Sequence, residues 1–223
     1  MRETAESPKS TRMEFVWVVP RSVLFPEATP HGLLALEAQE LEDRYLGPAR
    51  DQGFFIERRY AEEHPEFKQP IPYVAVCRED QVLCLTRLST QGEQRLHGKR
   101  SIGVGGHINP CDQDEGDLFA SACERELHEE LVLPETALDL TPVGLLNDDT
   151  TAVGAVHVGL VYRLDASSIE VAIRETSAMA GDFESLGTLQ DLACSPEPPF
   201  ETWSTLLLRS GALGSTSEHK VLV

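Results

Sequence analysis

Three acids dominate one short run of the chain. Glu126, Glu129 and Glu130 stand at i, i+3 and i+4 in Arg125-Glu126-Leu127-His128-Glu129-Glu130-Leu131. At about 100° per residue, a helix gathers the three carboxylates within about a third of its circumference. Phe119, Cys123, Leu127 and Leu131 recur at every fourth position and form a separate apolar stripe. The spacing therefore predicts a helix anchored on one side and acidic on another. Left alone, the acids repel. Glu126 and Glu130 are a like-charged i,i+4 pair that costs about 0.2–0.5 kcal/mol, and they occupy the C-terminal half of the helix, where the macrodipole disfavours anions. Two arrangements relieve this. One is a solvated acidic face with Arg125 reaching Glu129. The other is a hard divalent cation of the Mg²⁺ type, which takes oxygen ligands and is shared between carboxylates and substrate phosphates.

The residues upstream favour the second arrangement. Gly103, Gly105 and Gly106 open a polar loop that leads into the helix near Asp117. Glycine lets backbone approach a neighbouring group closely and present its own carbonyls and amides. A glycine cluster alone usually marks a turn; one that feeds a helix with ordered carboxylates is more specific.

Together these residues resemble the Nudix box, Gly-x5-Glu-x7-Arg-Glu-U-x-Glu-Glu-x-Gly-U, where U is apolar. Arg125, Glu126, Leu127, Glu129, Glu130 and Leu133 match in register, and Gly106 matches the opening glycine. Aligned back from Arg125, Asp117 stands where the pattern has its first glutamate. This alignment leaves ten residues between Gly106 and Asp117 and reads residues 111–116 as a loop insertion. Val132 replaces the second glycine, at a place where a left-handed helix cap is usual and a β-branched residue fits badly; Pro134 then ends the helix by another route.

The resemblance implies an α/β/α sandwich with a mixed β-sheet. It also implies hydrolysis of a diphosphate linkage in a nucleoside diphosphate derivative or a related phosphorylated small molecule. It makes Glu126, Glu129 and Glu130 the ligands of Mg²⁺, with Mn²⁺ as an alternative and the Gly106 carbonyl as a further ligand. Arg125 orients a glutamate, and Asp117 has a structural part near the loop. The base that activates water is Glu126, Glu130 or an acid from a later loop, for which Glu184 is the choice; His107 is a lesser candidate. The GVGGHIN loop and the long N-terminal region are similar to a group of Nudix phosphoesterases of unassigned substrate. Two other functions compete: a catalytically silent nucleotide-binding module, and an isomerase of the isopentenyl diphosphate type, which needs a reactive cysteine.

Composition narrows the partners. The 223 residues carry a formal net charge of -18, which disfavours an extended nucleic-acid surface. A small phosphorylated ligand remains compatible if cations mediate. No apolar run approaches the roughly 20 residues of a membrane span, and MRETAESPKSTR has no apolar signal segment, so the expected location is cytoplasmic and no membrane partner is expected. Cys77, Cys84, Cys111, Cys123 and Cys194 are odd in number and include no C-x-x-C pair, which argues against a disulfide framework or a zinc site. Cys77, Cys84 and Cys123 lie in apolar patterns and are expected to be buried.

The elements that position the acids are read from periodicity. Residues 1–12 form a polar tail, and 13–213 a single domain divided into an N-terminal elaboration (13–69) and a core (70–213), followed by a loose tail (214–223). The elaboration covers the core, builds part of the pocket or mediates a homodimer. Strands are expected at 14–19, 53–58, 71–77, 82–88, 143–146, 153–163 and 168–174, with Arg78–Gln81 as a hairpin turn. A helix is expected over 32–47 and a last one beginning near Pro199, with a loop and short helix before it. Arg58 and Arg59, and the group Arg87, Arg95, Lys99 and Arg100, are candidate phosphate contacts. His157 is expected to pack or line a pocket rather than bind a metal.

Overall fold

The structure is a computed structural model that describes residues 13–87, 99–113, 116–135, 138–174, 176–177 and 179–214. The N-terminal third gives β1 (Phe15–Pro20), α1 (Arg21–Leu24), β2 (Gly32–Ala35), α2 (Ala38–Leu41), α3 (Gly47–Gln52), β3 (Phe54–Glu57) and α4 (Arg58–Glu63). Next come β4 (Phe67–Arg78), β5 (Gln81–Arg87), β6 (Arg100–Ser101) and the box helix α5 (Leu118–Glu130). The chain continues with β7 (Leu131–Val132), β8 (Leu140–Asn147), α6 (Ala152–Val156) and β9 (His157–Asp165), and finishes with β10 (Ala172–Ile173), β11 (Met179–Ser185), α7 (Leu186–Ala193) and α8 (Thr202–Ser210).

The main sheet runs β11-β5-β4-β9-β8-β2. β4 and β9 are parallel, from Gln69 beside His157 to Cys77 beside Asp165; the other neighbours in that order are antiparallel. Side chains alternate across a strand, and here both faces are apolar because both are covered. Val74, Val76, Leu83 and Leu85 meet Cys123 and Leu127 of α5. Tyr73, Ala75, Val82 and Cys84 meet Leu189 of α7 and Leu207 and Leu208 of α8. This is the α/β/α sandwich with a mixed sheet. The N-terminal third is built into it: β2 extends the sheet beyond β8, and Trp17, Leu41 and Tyr45 share a core cluster with Phe119 and Ala122 of α5. Among the described residues, no helix is long and apolar enough to cross a membrane.

Several elements differ from expectation. Gly32–Ala35 is a strand, not the start of a helix, because Leu33 and Leu34 pair with Leu146 and Leu145 on the open edge of β8. Helical backbone then runs from Ala38 to Gln52, through a π turn at Glu42–Leu46. The strand expected over 153–163 begins only at His157, because Thr151 accepts a hydrogen bond from the Gly154 amide and caps α6 first. In 168–174, only Ala172 and Ile173 find a partner strand. The glycine-broken loop before the penultimate helix is β11, paired with β5 along its length. The last helix starts at Thr202, where the Glu201 carboxylate accepts the Trp203 and Ser204 amides; Pro199 lies before the cap. The tails, 1–12 and 215–223, lie outside the described residues.

Candidate active site

The glycine loop is shaped by close contacts. A Cβ on Gly103 would strike the Tyr73 ring and one on Gly105 the Pro72 backbone, so these two glycines let the loop lie against β4. Gly106 has a different neighbour: a Cβ there would sit 2.5–2.6 Å from the carboxylate of Glu126. Only glycine lets the backbone come this close to the acid.

Arg125 organises what surrounds it. Its Nε and Nη2 donate to the two carboxylate oxygens of Asp112 at 2.8 and 2.9 Å, a bidentate fork. Nη2 also donates to the His107 carbonyl at 2.8 Å, and Nη1 donates to Glu126 at 2.7 Å and Glu129 at 3.2 Å. One guanidinium thus ties the glycine loop, the following turn and two of the three glutamates together. It is spent on protein groups and acts as a positioning residue.

Asp112 corrects the alignment made from sequence. It is buried, 3% exposed, and stands five intervening residues after Gly106, the spacing of the box pattern. The additional residues therefore fall after it, between Asp112 and Arg125, so that Cys111 and Asp112 are not part of the insertion expected at 111–116. Asp117 has the structural part expected of it: its carboxylate caps α5 by accepting the Phe119 and Ala120 amides and pairs with Arg50 at 2.9 Å. A count that runs backward from Arg125 misses Asp112, although the forward count from Gly106 reaches it.

Val132 is explained by the end of α5. The helix stops at Glu130, and Leu131 is already extended (φ -121°, ψ 153°). Leu131 and Val132 pair with Ile173 and Ala172. The chain leaves the helix as a strand rather than through a left-handed residue, so a β-branched side chain fits.

The glutamates differ in environment. Burial raises the Glu126 carboxyl above its usual range, against the lowering effect of Arg125. Its negative charge is thus incompletely compensated by the protein. The Glu129 side chain is 59% exposed, on the open side of the same guanidinium. Oxygen donors of this kind, beside a glycine backbone that only a missing Cβ admits, fit a hard divalent cation. The geometry brings together Gly106, Glu126 and Glu129; the Nudix resemblance implies that these, with Glu130, would hold it.

Other predicted residues lie elsewhere. Glu184 is opposite Val82 on β11 and shares the sheet face covered by α7 and α8, away from α5. It pairs with Arg100, whose guanidinium stacks over Phe200. The structure therefore does not bring Glu184 to the glutamates, and Arg100 serves the opposite face. Lys99 and Arg59 are exposed; Arg95 and the Arg87 side chain lie outside what is described. Arg58 pairs with Glu14 at 3.0 Å and with Glu62 at 3.4 Å. His107 and His157 meet, Nε2 to Nε2, at 3.1 Å. Cys77, Cys84 and Cys123 are buried as expected, and burial raises all three thiols, Cys123 to about 12.

No family model matches the chain. Among solved structures, Tm1382, a proposed Nudix hydrolase, aligns with a TM-score of 0.70 at 26% identity, over 88% of this chain and 97% of its own. Protein YmaB of Bacillus subtilis is 34% identical over 203 residues, 87% of this chain and 96% of that protein. The chain belongs to the Nudix hydrolase superfamily, in one family with YmaB. The chemistry shared across that class is hydrolysis of a pyrophosphate linkage.

Proposed function

We propose that the protein is a Mg²⁺-dependent hydrolase, with Mn²⁺ as an alternative ion, that cleaves the diphosphate linkage of a nucleoside diphosphate derivative or a related phosphorylated small molecule. The observation that carries this reading is the approach of the Gly106 backbone to the partly desolvated Glu126 carboxylate, with Glu129 held beside it by the same arginine. A bound divalent ion screens the pyrophosphate charge and acidifies water. The chain's own groups do the rest. The α5 backbone fixes the spacing of Glu126, Glu129 and Glu130, and Arg125 fixes the rotamers of the first two. Water adds to one phosphorus, its proton passes to a carboxylate (Glu126 or Glu130), and the bridging P–O bond breaks with its electron pair on the departing phosphate. Rigid placement on a helix serves this better than a loop would.

The test is a hydrolysis screen over nucleoside diphosphate derivatives with Mg²⁺ or Mn²⁺, with Glu130→Gln as control. Release that requires both the ion and Glu130 supports the hydrolase. Ion-dependent binding of a compound without release by the wild type would replace it with a silent nucleotide-binding module.

A further inference from the structure

A second group of ligand atoms converges beside the box without using any of its glutamates. One carboxylate oxygen of Glu62 and one nitrogen each of His107 and His157 lie within 4.8 Å of one another. They come from three elements distant in sequence: α4 of the N-terminal elaboration, the glycine loop one residue past Gly106, and the first residue of β9.

The geometry has the features of a metal site. The two Nε2 atoms are 3.1 Å apart. Two nitrogens bound to one ion at 2.0–2.1 Å across a tetrahedral angle would be about 3.3 Å apart. The His157 tautomer follows from its other nitrogen. Nδ1 is 2.7 Å from the Val153 carbonyl, which can only accept, so Nδ1 carries the proton and the Nε2 lone pair faces His107. A ligating histidine is typically held in this way, with its distal N–H donated to a carbonyl. Glu62 stands on the exposed side of the cluster, so one coordination position can be open to solvent.

We propose that Glu62, His107 and His157 bind a divalent transition ion of the zinc class, at a site distinct from the Mg²⁺ site of the box. Imidazole nitrogen selects such ions, whereas carboxylate and carbonyl oxygen suit Mg²⁺. The site also gives the N-terminal elaboration a role, since α4 supplies the carboxylate and is tied through the ion to the glycine loop. The proposal does not depend on the hydrolase reading, because it is tested by binding.

The experiment uses the full chain, stripped with EDTA and held in excess Mg²⁺ so that the box is occupied by its own ion. Co²⁺ is titrated in and followed by d–d absorption, and Zn²⁺ by calorimetry and by its effect on Tm. The wild type is expected to bind one such ion and melt higher. Glu62→Gln, at an exposed position that tolerates the change, should weaken binding about tenfold or more, and His157→Gln about a hundredfold or more. Glu129→Gln should keep the Co²⁺ spectrum. Absence of binding in the wild type would overturn the proposal and leave the imidazole contact a plain N–H···N hydrogen bond. A spectrum lost in Glu129→Gln but kept in Glu62→Gln and His157→Gln would overturn it too, by placing the ion in the box.

Discussion

Two cations each fasten a turn to the sandwich, and they are used in opposite ways. Arg125 meets the buried Asp112 with two of its donors and still has donors for Glu126, Glu129 and the His107 carbonyl. Lys68, whose side chain is fully buried, meets Asp149 at 2.6 Å and spends its remaining donors on the Gly154 and His157 carbonyls. Arg21 joins Asp149 from the other side at 2.6 Å. A planar fork can pair one acid bidentately and still orient others, whereas an ammonium is a point charge on a flexible stem. The arginine pair therefore organises the acids of the site. The lysine pair pins the turn after β8 to the start of β4 and orients no acid of the box.

That contrast is sharpened first by removing an acid Arg125 orients. Glu129→Gln is expected to cut ion-dependent hydrolysis by orders of magnitude with Tm unchanged; near-normal turnover would take Glu129 out of the ion site. The next change is to the anchor of the fork. Asp112→Asn leaves a mostly buried guanidinium short of its counter-charge, which costs about 3 kcal/mol in denaturant unfolding, and kcat should drop about tenfold or more as Glu126 and Glu129 lose their fixed rotamers. Arg125→Lys should reproduce the kcat loss even though the charge is kept. An unaffected kcat in both variants would reduce Arg125 to a structural residue like Lys68.

The lysine side gives smaller, purely structural effects. Asp149→Asn should destabilise by about 2 kcal/mol, below the range for a fully buried pair because Asp149 is 36% exposed, with kcat retained. Burial alone would raise the Asp149 carboxyl, but hydrogen bonds from Arg21 and Lys68 outweigh it and hold the group down at about 2. The folded value lies below the unfolded one, so its stabilisation is present above about pH 4 and is lost as pH falls toward 2. Thermal melts across that window should show a loss in the wild type that Asp149→Asn lacks. The smallest effect is expected at Val132→Gly. It removes a β-branched residue from a short, exposed strand and should cost about 0.5–1 kcal/mol with activity retained. A large loss of turnover would mean that the helix end and the site are coupled through β7.

The box helix was legible because its determinants are local. The four-residue apolar stripe, the acids and Arg125 all lie within one helix, and Cys123 and Leu127 are buried as the stripe requires. The hairpin of β4 and β5 was equally legible, with Cys77 and Arg78 pairing with Val82 and Gln81 around a two-residue turn at Glu79 and Asp80. β2 and β11 were not. Gly32–Ala35 carries a pattern that serves helix or strand, and an open sheet edge decided it; β11 holds a glycine that a strand tolerates because β5 pairs with it throughout. Tertiary context overrides propensity of this size.

The sequence by itself determined a mixed α/β chain with a Nudix box, and which glutamates share a helix face, because helical spacing converts residue number directly into direction. Only the tertiary structure decided that Glu184 faces the other side of the sheet, and that Glu62, His107 and His157 meet. Those relations join groups up to 95 positions apart, and closeness at that separation is set by how strands are ordered and layers packed, which no local pattern encodes.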